Sequence, residues 1–407
     1  MLSNGPLDGL KVVDLSRVLA GPFCSMNLGD MGADVIKVER PDGGDDTRRF
    51  GPPFINDVST YYLAINRNKR SVAIDLKSKD GKEILWSLLS DADVLLENFR
   101  PGTLDRLGFD YETCKKKNPK LIYCSISAFG HSGDPEWSRR PGYDLILQGM
   151  GGIPSITGVP DGPPSKVGAS IADVVAGMNS FTGILLALIA RTKTGLGQKV
   201  DTSMFDGQVS LLTYLATAFL NTDKVPPRLG NRHLSIAPYS TYEASDGWLN
   251  IAVANEKLWG LFCRTLDRLD LMDDPRFQTN QARVAHVELL DSEINVALGK
   301  NAVSFWVERF TEAGIPAGPV LTLDKVLTHA QLQARGMLPH MQHPRAGQIK
   351  LTGTPHFLTG TPGGFRLPPP ELGEHSRRIL EEHGWSSTHI DNWMSRGVIY
   401  CSDGATP

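Results

Sequence analysis

The stretch LKVVDLSRVLAGPFCSMNLGDMGADVIKVE, residues 10–39, decides the fold of this chain. Its first seven residues have the apolar and β-branched composition that is typical of a strand. AGPFCSMNLGDMG is typical of a helix that ends at glycine, and ADVIKVE is typical of a second strand. Two strands joined by a helix form a β-α-β unit, in which the strands lie parallel. The sequence therefore predicts an α/β protein built on a parallel sheet.

The same alternation continues along the chain. RSVAIDL (70–76), ADVLLEN (92–98) and KLIYCSISAFG (120–130) have the composition of further strands, and KDGKEILWSLLSD between the first two has that of a helix. An open sheet of this type binds ligands beyond the carboxyl ends of its strands. We therefore expect functional residues directly after those strands.

A change of composition divides the chain near residue 225, where the polar, proline-bearing stretch NTDKVPPRLGNRH follows a long apolar helix. Beyond it, STYEASDGWLNIAVAN predicts a hairpin that turns at Asp246 and Gly247, and amphipathic helices follow. We predict a large Rossmann-like domain over residues 1–224, a smaller α/β domain over 225–330, and a segment, 331–407, that returns to the large domain.

Composition limits the partners of the protein. A net charge of −3 in 407 residues offers no basic surplus for nucleic acid or anionic membranes, so small molecules are the expected partners. Five scattered cysteines contain no C-x-x-C pair, and the one close histidine pair, HMQH, lacks neighbouring ligands, so we expect neither disulfides nor a metal site. The first ten residues resemble no targeting signal, which favours the cytoplasm, or mitochondria if a presequence was removed.

A β-α-β opening invites comparison with dinucleotide-binding folds, but the glycine fingerprint fails because SRVLAGPFCS contains only Gly21. Arginines stand at the strand ends instead: Arg40 after the second strand, Arg100 and Arg106 after the fourth, and Arg139 or Arg140 after the fifth. Guanidinium groups gathered there would bind phosphates through charge-assisted hydrogen bonds. Coenzyme A, with a 3′-phosphate, a diphosphate and a long arm, fits such spaced cations.

Asp173 lies near the start of VGASIADVVAGMNSFTGILLALIARTKTG, residues 167–195, a stretch whose apolar run and C-terminal glycine predict a long helix. An aspartate in this position is either a helix cap, which accepts orphan backbone N–H groups, or a nucleophile. Position alone leaves both interpretations open.

Motifs along nearly the whole chain resemble the class III coenzyme A transferases, the CaiB/BaiF or formyl-CoA transferase family. They are DLSRVLAGPF, ADVIKVERP, GDDTRRFGPPF, TYYLAINRNKRS, ENFRPGTLDRLG, RPGYDLILQGMGG, the Asp173 stretch, TGLGQKVD, AGIPAGPV and PPPELGEH. VERPDGGDDTRRFGPPF and STYYLAINRNKRS are most similar to the succinyl-CoA:glutarate branch. One departure from the family is visible: HLSIAPYSTYEASDGW lacks the mobile glycine-rich loop of formyl-CoA transferase, which leaves open how this chain shields a reaction intermediate from water.

The resemblance implies that Asp173 is the catalytic nucleophile and that two subunits form an interlaced homodimer. It also implies a coenzyme A site lined by Val18, Ala20, Arg40, Asn98, Arg106, Arg139 and Tyr143. No permanently bound cofactor is implied, since the coenzyme A thioester is a substrate. The implied activity moves coenzyme A from an acyl-CoA, with succinyl-CoA expected, to a short dicarboxylate such as glutarate or itaconate, through aspartyl anhydride and aspartyl-CoA thioester intermediates.

Two other functions stay open at this point. The α-methylacyl-CoA racemases resemble the same family, but they pair the aspartate with a histidine where this chain has Tyr143, and a phenol is ill matched to two-base proton transfer near neutrality. A non-catalytic coenzyme A-binding scaffold is the second.

For the acceptor acid, Arg48, Arg232 and His233 are candidates to hold a distal carboxylate, with plain structural charge as the alternative. Leu19 is expected near the acyl group, where an apolar side chain suits a carbon chain better than oxalate.

Overall fold

The computed structural model describes residues 5–402 of the chain, which fall into two compact units. The large unit takes in the described parts of Met1–Gly151, Gly168–Thr213 and Ala330–Pro407, and the small unit takes in Gly152–Val167 and Tyr214–His329. The first division therefore lies at Thr213, earlier than the predicted limit at 224. Residues 152–167, which the sequence predicts to be part of the large domain, belong to the small unit.

Residues 5–402 contain fourteen strands, which account for all the predicted ones. They are β1 (Lys11–Asp14), β2 (Asp34–Glu39), β3 (Phe54–Ile55), β4 (Val58–Ser59), β5 (Lys69–Ile74), β6 (Val94–Glu97), β7 (Ile122–Ser127), β8 (Lys199–Ser203), β9 (Tyr239–Ala244), β10 (Gly247–Ala252), β11 (Ala317–Pro319), β12 (His340–His343), β13 (Gly347–Lys350) and β14 (Ile399–Tyr400).

The helices between them, in the same described range, include the predicted long helix around Asp173. They are α1 (Ala20–Asp30), α2 (Thr60–Ile65), α3 (Lys79–Leu89), α4 (Thr103–Leu107), α5 (Tyr111–Lys117), α6 (Pro135–Ser138), α7 (Asp144–Met150), α8 (Ile153–Ile156), α9 (Ile171–Thr194), α10 (Met204–Leu211), α11 (Thr213–Thr222), α12 (Glu256–Thr265), α13 (Asp270–Asp273), α14 (Asn280–Ala285), α15 (Val287–Leu298), α16 (Val303–Glu312), α17 (Leu323–Leu327), α18 (Ala330–Ala334), α19 (Ser376–Glu382) and α20 (Ser387–Ser395), with a 3-10 turn at Asp46–Arg49.

The sheet of the large unit has the strand order β14-β5-β2-β1-β6-β7-β8. Six of its strands run parallel, and β14 adds to the edge of β5 in the antiparallel sense. The order reverses at β1, whose neighbours are β2 and β6, so ligand-binding loops are expected at the carboxyl ends of these three strands. The predicted α/β class with a parallel sheet is confirmed.

Both faces of this sheet are buried, as a parallel sheet covered by helices requires. Val12 and Val13 are each 1% exposed but point to opposite faces, because successive strand residues alternate. Val12 packs in a cluster with side chains of α1 and α9, while Val13 packs in another with α3, α19 and α20. The C-terminal helices thus complete the core of the large unit.

The small unit is built around a three-stranded antiparallel sheet of order β11-β10-β9. Gly247 pairs with Ala244, so the β9–β10 hairpin turns at Ser245 and Asp246, one residue before the predicted turn. Trp259 and Phe262 of α12 and Phe310 of α16 pack against these strands and form a separate core.

Helix α9 has two apolar faces. One packs in the core of the large unit, whereas Met178, Leu186 and Ile189 on the other are 53%, 62% and 58% exposed. With 24 residues and a mean hydropathy of 1.6 over its most apolar window, α9 is the one helix within residues 5–402 that could cross a membrane by length and composition. A core helix of a water-soluble protein meets the same criteria, so this observation is weak evidence for a membrane.

Candidate active site

The Asp173 side chain does not cap its own helix. Helix α9 begins at Ile171, and Ser170 is its N-cap residue. The Ser170 side chain makes no capping hydrogen bond. Asp144, at the start of α7, performs the capping from outside: its Oδ1 accepts from the Ala172 N–H at 2.9 Å, and its Oδ2 accepts from Gln148 Nε2 at 2.8 Å. Of the two interpretations of Asp173, the structure therefore removes the cap.

The Asp173 carboxylate is poorly stabilised as an anion. Among residues 5–402, no side chain or backbone group donates a hydrogen bond to it, and it is only partly exposed. Burial, together with the smaller effect of the negative charge of Asp144, raises its pKa to about 7. A carboxyl group with such a pKa titrates in the range where a nucleophile or an acid–base group is useful.

Asp173 opens into a cleft of about 180 Å³ at the carboxyl ends of β1, β6 and β7. Of the residues predicted to bind coenzyme A, the cleft is lined by Val18, Ala20, Asn98 and Tyr143. The family resemblance implies Arg139 at this site, but Arg139, the C-cap residue of α6, does not line the cleft. The adjacent Arg140, the other candidate at this strand end, lines it instead.

Gly177 brings the start of α1 close to Asp173. The two residues are four apart in α9 and so lie on one helix face. A Cβ on Gly177 would lie 2.6 Å from the carbonyl oxygen of Ala20 and 3.0 Å from the Phe23 ring. Only glycine therefore allows the two helices to pack this closely, one turn below the carboxylate.

A second cleft, of about 320 Å³, adjoins the first and shares Arg17 and Phe99 with it. Two of the predicted cationic residues, Arg40 and Arg106, line this second cleft. Arg40 donates to Asp46 at 2.7 Å and to the Gly44 carbonyl at 3.0 Å, which fixes its position at the rim. Together the two clefts extend from Asp173 to cationic side chains.

The residues predicted to hold the acceptor acid lie elsewhere. Arg48 lines neither cleft, because its guanidinium group makes two 2.8 Å hydrogen bonds to the buried Glu39 and one of 2.6 Å to Tyr62. Leu19 is the N-cap residue of α1 and is absent from the lining, although both its neighbours belong to it. These partners of Arg48 favour the structural alternative, and its role toward an acid stays a prediction.

Arg232 and His233 belong to the small unit. Arg232 donates to Asp291 at 2.7 Å, and His233 lies between two tyrosine rings, 5.5 Å from Tyr214 and 5.3 Å from Tyr239. Both side chains thus have structural partners within their own unit. Their role toward an acid stays a prediction.

Several lining residues escaped the sequence analysis, among them Arg17, Phe99, Ser127 and Met204. The rule that ligand sites follow the carboxyl ends of strands could have found Arg17 and Phe99, since β1 ends at Asp14 and β6 at Glu97. Ser127 is the last residue of β7, and Met204 follows β8 directly.

Comparison with known proteins places these features in one family. Residues 7–376 match the family model described as CoA-transferase family III. The chain is 40% identical over 398 residues to a succinyl-CoA:glutarate CoA-transferase of Mus musculus, covering 98% of this chain and 91% of that one. It is also 40% identical over 381 residues to an acetyl-CoA:oxalate CoA-transferase of Acetobacter aceti, covering 93% and 96%.

Among solved structures, a CaiB/BaiF family protein from Brucella suis superposes with a TM-score of 0.84 and 42% identity, covering 93% of this chain and all of that one. The chain belongs to CoA-transferase family III, the CaiB/BaiF enzymes.

Proposed function

We propose that the protein transfers coenzyme A from succinyl-CoA to a short dicarboxylate such as glutarate or itaconate, with Asp173 as the nucleophile. The observation that carries this proposal is the state of the Asp173 carboxylate. It opens into a cleft, receives no hydrogen bond from residues 5–402, and has its pKa raised to about 7 by burial and by Asp144.

The raised pKa reduces the main chemical difficulty of the reaction. An ordinary carboxylate that expels a thiolate forms an anhydride uphill by about 4–5 pKa units, or roughly 6 kcal/mol. With the pKa of Asp173 at about 7, the gap to an ordinary thiol narrows to roughly 1.5 units, or about 2 kcal/mol. Burial thus makes the carboxylate a stronger nucleophile toward the thioester and a better match for the thiolate.

In the proposed cycle, Asp173 attacks the donor thioester, the C–S bond breaks, and an aspartyl-acyl anhydride forms with a free coenzyme A thiolate. The thiolate then attacks the aspartyl carbonyl, which releases the donor acid and leaves an aspartyl-CoA thioester. The acceptor carboxylate repeats both steps in reverse. The N-terminus of α1, whose first residue Ala20 lines the cleft, is suited to stabilise the oxyanions that develop.

The paired clefts suit the rest of the coenzyme A molecule. The arm would lie along the cleft of Asp173, past the shared residues Arg17 and Phe99, and the phosphates would meet Arg40 and Arg106. Identity does not select the acceptor acid, because the relatives named for glutarate and for oxalate are both 40% identical to this chain. Our choice of a longer diacid rests on the two motifs most similar to the succinyl-CoA:glutarate branch.

We further propose that two copies form an interlaced homodimer. Met178, Leu186 and Ile189 share one exposed face of α9, and large apolar faces of this kind mark interfaces. Light scattering on the protein as it elutes from a size-exclusion column should give twice the mass of one chain. A monomeric mass at micromolar concentration would count against the dimer.

The decisive experiment incubates the protein with succinyl-CoA and glutarate and measures glutaryl-CoA by chromatography. Hydroxylamine added during turnover should mark Asp173, which peptide mass mapping locates. Reactions without glutarate or with acetate serve as controls. No product across a panel of short diacids would overturn the transfer proposal.

The racemase alternative predicts a different signal. Deuterium from solvent would enter the α-carbon of a branched acyl-CoA with no acid present, and Tyr143 would have to act as the second base. A non-catalytic scaffold would bind coenzyme A and give neither product. Mass spectrometry detects deuterium uptake in a separate incubation with a branched acyl-CoA in deuterium oxide, and a scaffold gives no product in either incubation.

A further inference from the structure

The loop between β1 and α1 contains a residue in an unusual conformation. Val18 has a φ of +69°, in the left-handed region that β-branched residues rarely adopt. It also lines the cleft of Asp173. Backbone strain of this kind persists only where the surrounding structure enforces it, and it concentrates at functional sites.

Asn98 holds the loop from one side. Its Oδ1 accepts from the Arg17 N–H at 2.9 Å, and its Nδ2 donates to the Arg17 carbonyl at 2.7 Å. Both polar atoms of the amide are therefore used on the backbone of the loop. Asn98 lines the cleft as predicted and also binds the backbone of the loop.

A buried ion pair holds the loop from the other side. Asp45 Oδ1 accepts from the Val18 N–H at 3.2 Å, and Lys37 Nζ donates to the Ser16 carbonyl at 3.0 Å. Lys37 and Asp45 are 2.9 Å apart and their side chains are 0% and 1% exposed. Thr47 fixes Asp45 in turn, through its N–H at 3.0 Å and its hydroxyl at 2.8 Å.

These contacts have a geometric result. Arg17, Val18 and Ala20 all line the same cleft within four residues of chain. The left-handed residue turns the chain between the end of β1 and the start of α1, so that the loop and the first turn of the helix face Asp173 together.

We propose that Asn98, Lys37 and Asp45 form a clamp that positions Arg17–Val18 for the transfer reaction. This inference rests on the proposed function and deepens it. The three are positioning residues, since they act on the substrate through the backbone of the loop. Without the clamp, Val18 relaxes to a negative φ, and the groups that face Asp173 lose their alignment.

The test compares Asn98→Ala and Asp45→Asn with Asp391→Asn. The control removes one charge from an exposed 2.6 Å ion pair with Arg377, far from the loop in the sequence. We expect kcat for succinyl-CoA and glutarate to fall about 10- to 100-fold in both clamp variants, since a misplacement of about 1 Å has that cost. Coenzyme A affinity should fall less than kcat does, and Asp391→Asn should behave as the wild type.

Two further readouts separate positioning from a general structural role. Amide hydrogen exchange in the peptide that spans residues 16–19 should accelerate in both clamp variants and not in the control. Val18→Gly, added to Asp45→Asn, should recover part of the lost kcat, because glycine adopts a positive φ without enforcement.

Wild-type kcat in Asp45→Asn would overturn the clamp, as would a loss of kcat with unchanged exchange and no rescue by glycine. A wild-type protein that moves no coenzyme A would defeat the proposed function instead. In that case the exchange measurements still decide whether the clamp orders the loop.

Discussion

Asp45 and Asp173 are two aspartates of the large unit, both largely removed from solvent, with opposite surroundings. Asp45 accepts hydrogen bonds from Lys37, Val18 and Thr47, and its pKa is lowered to about 2, because the attraction of Lys37 and these donors outweighs the effect of burial. Asp173 has no donor among the described residues and a carboxylate neighbour, and its pKa is raised to about 7. A carboxylate surrounded by hydrogen-bond donors stabilises the local structure, whereas a carboxylate without such donors stays reactive.

The largest expected effect separates the two sites by activity. Asp173→Asn removes the nucleophile, so glutaryl-CoA formation should fall at least ~10³-fold while coenzyme A still binds. Asp324→Asn is a matched control, since it changes an exposed aspartate that also lies in the first turn of a helix. If Asp173→Asn retained turnover, Asp173 would be a structural residue, and the functional contrast between Asp173 and Asp45 would be wrong.

The second effect concerns the free energy of unfolding. Replacing aspartate by asparagine should change it in opposite directions at Asp45 and at Asp173. The folded-state pKa of Asp45 lies below its usual value, so its charge stabilises the fold above about pH 4, and this contribution is lost as the pH falls toward about 2. Asp45→Asn should therefore cost roughly 2 kcal/mol at pH 8.

Asp173 has a raised pKa, so its ionisation destabilises the fold progressively between about pH 4 and 7. Asp173→Asn should consequently stabilise the protein at pH 8, by roughly 2–4 kcal/mol at most, and have little effect near pH 4. Urea unfolding at both pH values measures these differences. If Asp173→Asn destabilised the protein at pH 8, the claim that the fold does not stabilise the ionised Asp173 would be wrong.

The smallest effect sharpens the cause of the raised pKa. Asp144→Asn removes the negative charge near Asp173 but keeps an oxygen that can accept from the Ala172 N–H. Because transfer requires ionised Asp173, kcat/KM should rise with pH through about 7 in the wild type. In the variant this rise should occur at lower pH, by up to about one unit. A rise at the same pH would mean that burial alone raises the pKa of Asp173.

The fold could be predicted where one residue pattern dictates one structure. The β-branched strands and the β-α-β opening follow from local composition, and every predicted strand was found. Residues 152–167 lie in the small unit and not in the predicted large domain, because long-range contacts tie them there, such as those of Arg228 with the carbonyls of Val159, Pro160 and Gly162. Such long-range pairing leaves no local signal.

The candidate site shows the same limit. Asp173 and part of the cleft, namely Val18, Ala20, Asn98 and Tyr143, were found because strand ends and family motifs mark them. The pairing of Arg48 with buried Glu39 could not be predicted, since an arginine that binds a substrate and one that pairs with a buried carboxylate look alike in sequence. The clamp was missed because its ion pair joins β2 to a later turn and acts on the loop after β1.

The antiparallel strand β14, at Ile399 and Tyr400, has a consequence for synthesis on the ribosome. It covers the edge of β5, whose residues Ala73 and Ile74 emerge long before it. Until β14 arrives, the nascent sheet presents an unpaired, apolar edge that invites pairing with other chains. We expect this protein to depend on chaperones during translation.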